Sequence, residues 1–293
     1  AAAATTTTMA AAAAQIERRA KDKLYVSEPN PTWFGNDANP EAGSGAAKHW
    51  SNANWLKSRF HFAFAEWGGP PTDFGVVRVM NDDLVQPARG FGTHPHRDME
   101  IVTYIVRGEL THQDSMGTAE TLTRGALQYM SAGTGVRHSE HNLNATTPLR
   151  FIQIWIVPRR TGLTPNYGSL PYDHTATDGR AANRFHKLVD DVQRRADNDE
   201  AAAAGGAGAD QCDAAERVVA PVHLHQDVRL YVAQLDAGAN APPAPLRLGA
   251  HRQAYVLCVE GDAVVSGGGT SGELHEADAA RVGNDNGAPV ELS

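Results

Sequence analysis

The chain is poor in cysteine, poor in positive charge and free of long apolar runs. Cys212 and Cys258 are too few for a disulfide framework, so this composition suits a reducing compartment and a fold stabilised by its core. Lys and Arg number 26 against 34 Asp and Glu, which gives a net charge of −8. Such a surface repels phosphates, so we expect no direct nucleic-acid binding. No apolar stretch reaches the roughly 20 residues of a membrane span, and we expect none.

Short apolar runs broken by Gly, Pro and Asp begin at Trp55 and predict an all-β fold with few short helices. Phe60 and Phe62 alternate with other residues, as in half-buried strands. Two denser runs, 101–106 and 151–157, suit strands that are buried on both faces. Similar runs at 218–235 and 254–265 indicate that a second β domain follows the first.

We predict three parts along the chain. Residues 1–40 form a flexible Ala-rich leader, 41–160 a metal-binding domain, and 161–293 a second domain with a low-complexity insertion at 194–216. A linker is expected at 158–171. The leader weakly resembles an organellar transit region, but a short helix at 15–24 is favoured. A cytoplasmic location is therefore expected, with the nucleus or an organelle as the alternative.

Two short strings place metal-ligating side chains two positions apart: His94 with His96, and His138 with Glu140. Residues i and i+2 project from one face of a strand, so each string aims both ligands into one cavity. Three imidazoles and one carboxylate suit Fe(2+), with Mn, Co, Ni, Cu and Zn as alternatives. Four protein ligands leave open positions on an octahedral ion for oxygen, water or substrate.

The glycine-framed segments around these strings resemble the two motifs of the cupin superfamily. Between Trp55 and Tyr167, successive blocks are similar to those of the pirin family, especially its bacterial-type members with quercetinase activity. These blocks are WLKSRFHFAFAEW, FGVVRVMNDDLV, GFGTHPHRDMEIVTYIVRGELTHQDSMG, QYMSAGTGVRHSEHN and FIQIWIVP. The resemblance implies a bicupin, which consists of two double-stranded β-helix barrels of the jelly-roll type, with iron in the N-terminal one.

In that resemblance, His94, His96, His138 and Glu140 occupy the four positions that bind metal in pirins. Glu100 is the rival carboxylate, because it occupies the generic cupin position and strand parity places it on the face of the first histidine pair. We favour Glu140 as the ligand. Glu100 is then expected to be a buried acid that orients a ligand or stabilises the fold.

Other ligand-type residues receive structural interpretations. We expect His112 to be structural or at the cavity rim, and His141 to lie at the pocket edge. In the second domain the pair His223 and His225 lacks a following glutamate and glycine, so that domain is expected to bind no metal. The acidic pair at 190–191 is expected on a solvated face.

The resemblance implies an enzyme that opens the heterocycle of a flavonol such as quercetin with O2. The metal would bind the deprotonated 3-hydroxyl, and Glu140, as the catalytic residue, would take the hydroxyl proton. One alternative is an iron-containing regulator or binding subunit that interacts with other proteins. A structural subunit of a larger assembly is the third possibility.

Overall fold

The computed structural model describes residues 15–37, 54–63, 73–172, 182–193, 221–236, 246–249, 251–267, 269–283 and 290–292. Strands dominate these ranges, and the helical elements are two 3₁₀ turns, Lys21–Lys23 and Pro31–Phe34. The all-β prediction is confirmed. Within these ranges no helix has the length and apolar character needed to cross a bilayer.

The strands are numbered in chain order. They are β1 (Gln15–Arg19), β2 (Tyr25–Ser27), β3 (Leu56–Ala63), β4 (Val77–Val85), β5 (Arg89–His96), β6 (Glu100–Arg107), β7 (Leu110–Asp114), β8 (Ala119–Leu122), β9 (Leu127–Ser131), β10 (Val136–Asn142), β11 (Leu149–Ile156), β12 (Asn166–Leu170), β13 (Phe185–Asp191), β14 (Val222–Leu224), β15 (Leu230–Ala233), β16 (Leu246–Leu248), β17 (Gln253–Leu257), β18 (Asp262–Gly267), β19 (Thr270–His275), β20 (Ala279–Gly283) and β21 (Val290–Leu292).

Two antiparallel sheets form the N-terminal barrel. The larger has seven strands in the order β12-β9-β6-β11-β4-β3-β2, and the smaller has four in the order β5-β10-β7-β8. The dense apolar runs are the neighbouring strands β6 and β11. Val102 and Ile154 on their outer face pack with Leu188 and Leu224 of the C-terminal region, while Phe151 lies on the inner face. Both strands are thus buried on two sides, as predicted.

The inner face of the larger sheet is layered. At one end, Ile105 is paired with Phe151 in an apolar cluster. Two residues further along, Thr103 is paired with both Gln153 and Gln128. The next inward positions are apolar again and form a second cluster, which comprises Ile101, Met130 and Val136 with Met99, Trp155 and Tyr167 packed against it. A polar layer therefore lies between two apolar layers inside the barrel.

The first strand of the chain belongs to the C-terminal region. β1 pairs with β20, and β20 pairs in turn with β17. Ile16 of β1 lies opposite Val282 and packs into the small apolar clusters there. The predicted helix at 15–24 is wrong, whereas the flexible leader over residues 1–40 stays a prediction. The physical reason is tertiary: β20 offers an open edge that supplies the strand hydrogen bonds. Residues 1–14 lie outside the described ranges.

The predicted boundary between the two domains also needs revision. The expected linker contains β12, which pairs with β9 and extends the seven-stranded sheet to Leu170. The N-terminal barrel therefore continues past residue 160. The predicted insertion at 194–216 and Cys212 lie outside the part of the chain that the structure describes.

Buried polar contacts join the C-terminal region to the barrel. Arg150 on β11 donates two hydrogen bonds of 2.8 Å to Asp82 on β4, and a third of 2.8 Å to Glu276.

The acidic pair Asp190 and Asp191 is buried rather than solvated. Lys187 pairs with Asp190 at 2.9 Å, and Arg159 pairs with Asp191. The prediction of a solvated face at this pair is wrong.

Candidate metal centre

Three histidines converge on the inner face of the four-stranded sheet. His94 on β5 is the cross-strand partner of His138 on β10, and His96 lies opposite Val136. The ring centroids are 4.5 Å apart for His94 and His138, 4.7 Å for His94 and His96, and 4.8 Å for His96 and His138. The spacing of two residues, read from the sequence, therefore does bring these three side chains together.

Burial favours the neutral form of two of these imidazoles, His96 and His138. Burial, followed by the charges of His138 and His94, lowers the pKa of His96 to about 3. Burial, followed by the charges of His94 and His112, likewise lowers the pKa of His138 to about 3. Neutral imidazole is the form that binds metal, so no proton has to leave these two rings at neutral pH.

Ring orientation also suits an ion. The Nδ1 atom of His94 lies 2.8 Å from the backbone oxygen of Gly92, so Nδ1 carries the proton and Nε2 keeps a lone pair. This Nε2 faces the Nε2 of His138 at 3.0 Å. Among the residues that the structure describes, the buried Nδ1 of His138 has no hydrogen-bond partner. A cluster of imidazole nitrogens with unused lone pairs of this kind fits a first-row dication.

Glu140 lies in the same barrel but joins a second, overlapping group. Ligand atoms of His94, His96 and His138 lie within 4.8 Å of one another, and so do those of His112, His138 and Glu140. Both groups share His138. On the side facing β5, the register shifts between His138 and Glu140, which is a β-bulge. This bulge changes how the carboxylate is presented relative to the β5 histidines.

Two neutral amides hold the buried Glu140 carboxylate. Gln128 Nε2 donates to Oε1 at 2.7 Å, and Gln153 Nε2 donates to Oε2 at 3.0 Å. Both glutamines come from the polar layer of the large sheet, so the carboxylate bridges the two sheets of the barrel. In the part of the chain that the structure describes, no ion pair balances its charge. A buried carboxylate of this kind favours a cation nearby.

Gly90, four residues before His94, allows β5 to approach the backbone of Glu140 closely. A Cβ atom on Gly90 would lie 2.4 Å from the backbone oxygen of Glu140 and 2.6 Å from the Cα of His141. Both contacts are shorter than non-bonded atoms allow, so β5 and β10 can approach each other only with glycine there. His141 is half-buried beside Gly90. Its predicted place at the pocket edge stays a prediction.

His112 is more central than the sequence suggested. Its side chain is fully buried, its Nε2 lies 3.2 Å from Asp114 Oδ2, and its ring stacks on Tyr167 with centroids 4.3 Å apart. Cross-strand pairing places it opposite Glu140. The signal was present in the sequence, because His112 and Asp114 show the same spacing of two as the metal strings. Full burial fits the structural alternative of the prediction for His112 rather than the rim position.

Glu100 does not share a face with the histidine pair. β5 ends at His96 and β6 begins at Glu100, and the intervening turn contains Asp98 with a φ of +49°. The turn breaks the strand parity on which the prediction rested. The Glu100 carboxylate is fully buried and accepts hydrogen bonds from the His225 backbone N–H at 2.9 Å and from Ser131 Oγ at 3.0 Å. It therefore connects the barrel to the C-terminal region.

The second-domain histidines lie apart from these groups. His225 Nδ1 contacts Glu100 at 3.0 Å, His223 lies on β14, and His251 occupies a turn with a φ of +59°. Both groups of ligand-type side chains found within the described ranges belong to the N-terminal barrel. A metal-free second domain stays a prediction.

Comparison with known proteins places this fold and site in a class. The family model Pirin matches residues 43–156, and the model for the quercetinase C-terminal cupin domain matches residues 215–292. Two cupin-type β regions, with converging histidines in the first, define a bicupin. The chain belongs to the pirin family.

Individual relatives support this family. The quercetin 2,3-dioxygenase of Escherichia coli K12 is 48% identical over 124 residues, which are 42% of this chain and 54% of that protein. The chain thus spans about half the length of this curated relative. A pirin-like protein of Caulobacter vibrioides is 41% identical over 157 residues, or 53% of this chain and 66% of that one. The bacterial pirin YhhW from Escherichia coli in complex with nickel(II) has a TM-score of 0.56 and 27% identity, with 95% and 97% of the two chains covered.

Proposed function

We propose that this protein is a metal-dependent dioxygenase that opens the heterocycle of a flavonol with O2, as quercetin 2,3-dioxygenases do. The observation that carries the proposal is the convergence of three imidazoles beside a buried carboxylate that two amides hold. Relatives named quercetin 2,3-dioxygenase supply the reaction class. The domain division at about residue 170 is part of the same proposal.

His94, His96, His138 and Glu140 would hold the ion, which we propose to be Fe(2+), with other first-row dications as alternatives. The nickel(II) complex of YhhW supports a divalent metal in this fold. When bound, the ion supplies Lewis acidity toward the flavonol 3-hydroxyl and a site for O2 activation.

An apolar wall next to the histidines suits a flat aromatic substrate. Ile101, Met130 and Val136 form its buried part, and Trp155 packs against it. The Trp155 ring stands edge-on to His96 with centroids 4.8 Å apart. Flavonol rings packed against this wall would be kept out of water next to the metal ligands.

Glu140 is proposed as the base that takes the hydroxyl proton. An ionised carboxylate offers about four lone-pair sites, and the amides of Gln128 and Gln153 occupy one on each oxygen. A lone pair on each oxygen therefore stays available for a metal ion or for the proton of a bound hydroxyl.

Oxygen uptake by metal-loaded protein with quercetin tests the proposal. We expect turnover in the wild type and its loss in His96→Ala and Glu140→Ala. His275→Ala is the matched control. His275 is half-exposed and pairs with Asp262, and both residues belong to the C-terminal region rather than to the barrel with the ligand groups. Absence of turnover in metal-replete wild type, or full activity in the two site variants, would reject the proposal.

A protein-binding role is the second candidate, and one surface favours it. Tyr25 on the edge strand β2 is 51% exposed, and Trp33 in the following 3₁₀ turn is 68% exposed. Exposed aromatic side chains are typical of protein interfaces. A stoichiometric partner that is lost in Trp33→Ser, together with absent flavonol turnover, would favour this role.

A further inference from the structure

We infer that Gln128 and Gln153 are positioning residues that hold the Glu140 carboxylate in one orientation toward the metal ligands. The inference rests on the proposed role of Glu140 at the metal and adds two residues that the motif spacing does not reveal. Both glutamines are buried, and each bonds a different oxygen of the same carboxylate.

The two amides approach from neighbouring strands of one sheet. Gln128 on β9 and Gln153 on β11 flank Thr103 on β6, which is paired with both. Their Nε2 atoms also lie 3.4 Å from Thr103 Oγ1. Two donors at a fixed separation, one for each oxygen, define the plane of the carboxylate, whereas a single donor would leave it free to rotate about that bond.

The direction of each amide follows from the groups around it. Trp155 Nε1 donates to Gln153 Oε1 at 3.0 Å, so the nitrogen of Gln153 must face Glu140. Tyr167 Oη lies 3.2 Å from Gln128 Oε1, but its single hydroxyl proton goes to the closer Glu120 carboxylate. The direction of Gln128 is therefore set by Glu140, whose carboxylate oxygen accepts from the amide nitrogen.

Each glutamine lies next to an aromatic residue beside the histidines. Trp155 stands against His96, and Tyr167 stacks on His112, with ring centroids 4.8 Å and 4.3 Å apart. Tyr167 is anchored by a hydrogen bond to Glu120. Trp155 therefore belongs both to the apolar wall proposed for the substrate and to the hydrogen bonds that orient Glu140.

A double-mutant cycle on metal affinity tests the inference. Gln153→Met and Gln128→Met keep an unbranched side chain of similar size but remove the donor. In the full-length protein we expect each to weaken Co(II) binding about 10-fold and to shift the visible ligand-field spectrum, since outer residues of this kind change metal affinity 10- to 100-fold. In a Glu140→Gln background neither change should weaken binding further.

Gln86→Met is the matched control, because Gln86 is an equally buried glutamine whose backbone N–H donates to Trp55 in the apolar layer. It should leave the Co(II) affinity and spectrum unchanged. Equal losses with and without the Glu140 carboxylate, or unchanged affinity and spectrum in both Met variants, would overturn the inference.

A milder variant covers the case in which a Met variant does not fold. Trp155→Phe removes only the outer donor to Gln153 and should shift the Co(II) spectrum by less than the glutamine changes do. An unchanged spectrum in this variant overturns the inference. Because the readout is metal binding, the inference can hold while flavonol turnover is absent, and turnover can be present while the inference fails.

Discussion

The N-terminal barrel and the C-terminal region use buried carboxylates in opposite ways. Asp278 in the C-terminal region is bound by the Arg18 guanidinium and by two backbone N–H groups, from Lys21 at 2.9 Å and His275 at 3.1 Å. Glu140 in the barrel is held by two amides and lies beside the imidazoles of His112 and His138. The first carboxylate ties β1 to the C-terminal region through Arg18, whereas the second has no ion-pair partner among the described residues.

The interiors around these two carboxylates also differ in the polarity of their side chains. The C-terminal clusters consist of apolar side chains such as Leu274, Ala280 and Val282. The barrel instead places glutamine, glutamate and histidine side chains between its two apolar layers. The comparison teaches that similar β architecture leaves the chemistry to the inward-facing residues.

The largest effect is expected when the shared histidine of the barrel is removed. His138→Ala should abolish stoichiometric metal binding and lower any turnover by more than about 100-fold, because His138 belongs to both ligand groups. Elemental analysis of the purified variant measures this. Retained metal would contradict the histidine cluster as the centre.

Asp278→Asn should destabilise the protein without changing its metal content. Burial raises the pKa of Asp278, but hydrogen bonds from Arg18, Lys21 and His275 outweigh burial and lower it from 3.8 to about 2. The stabilisation is therefore complete above about pH 4 and is lost as the pH falls through 2. We expect a cost of about 1–3 kcal/mol at pH 7.

Denaturant unfolding at several pH values measures that cost. The difference between wild type and Asp278→Asn should shrink between pH 4 and pH 2. Asp262→Asn is the control, because Asp262 is mostly exposed and should matter little at any pH. A cost that does not depend on pH would show that the Asp278 charge is not what fastens β1.

His225→Ala should have a smaller effect on stability. The change removes one hydrogen bond to Glu100 and leaves the backbone N–H of residue 225 in place, so about 1 kcal/mol is expected. Thermal unfolding and metal analysis check this together. A loss of metal with unchanged stability would indicate that Glu100 acts at the metal centre, contrary to its contacts with His225 and Ser131.

Glu260→Ala should have the smallest effect, because it removes the ion pair with Arg124 and leaves the Arg124 hydrogen bond to the Val106 carbonyl in place. Arg124 and Glu260 pair across the two regions at 2.5 Å, but both side chains are about half exposed. Water and salt screen such pairs, so we expect less than about 1 kcal/mol, and no difference from wild type in 0.5 M salt. A larger, salt-independent loss in thermal unfolding would mean that this pair acts like the buried contacts between the regions.

Local pattern predicted the parts of the molecule that depend on strand periodicity. β6 and β11 follow from dense apolar runs, and the His94–His96 pair follows from a spacing of two within one strand. The same rule failed for Glu100, because the turn between β5 and β6 separates it from the pair. It also did not group His112 with the ligand residues, because His112 is brought opposite Glu140 by the pairing of β7 with β10.

The all-β class, the two metal-ligand strings and the family can be read from the sequence alone, because alternation along a strand and motif spacing are local properties. Contacts between distant strands place β1 in the C-terminal region, Glu100 against His225, and Gln128 and Gln153 at Glu140. These contacts join residues from 12 to 268 positions apart in the chain. Strand order and register bring them together, and neither can be read from the spacing of residues along one strand.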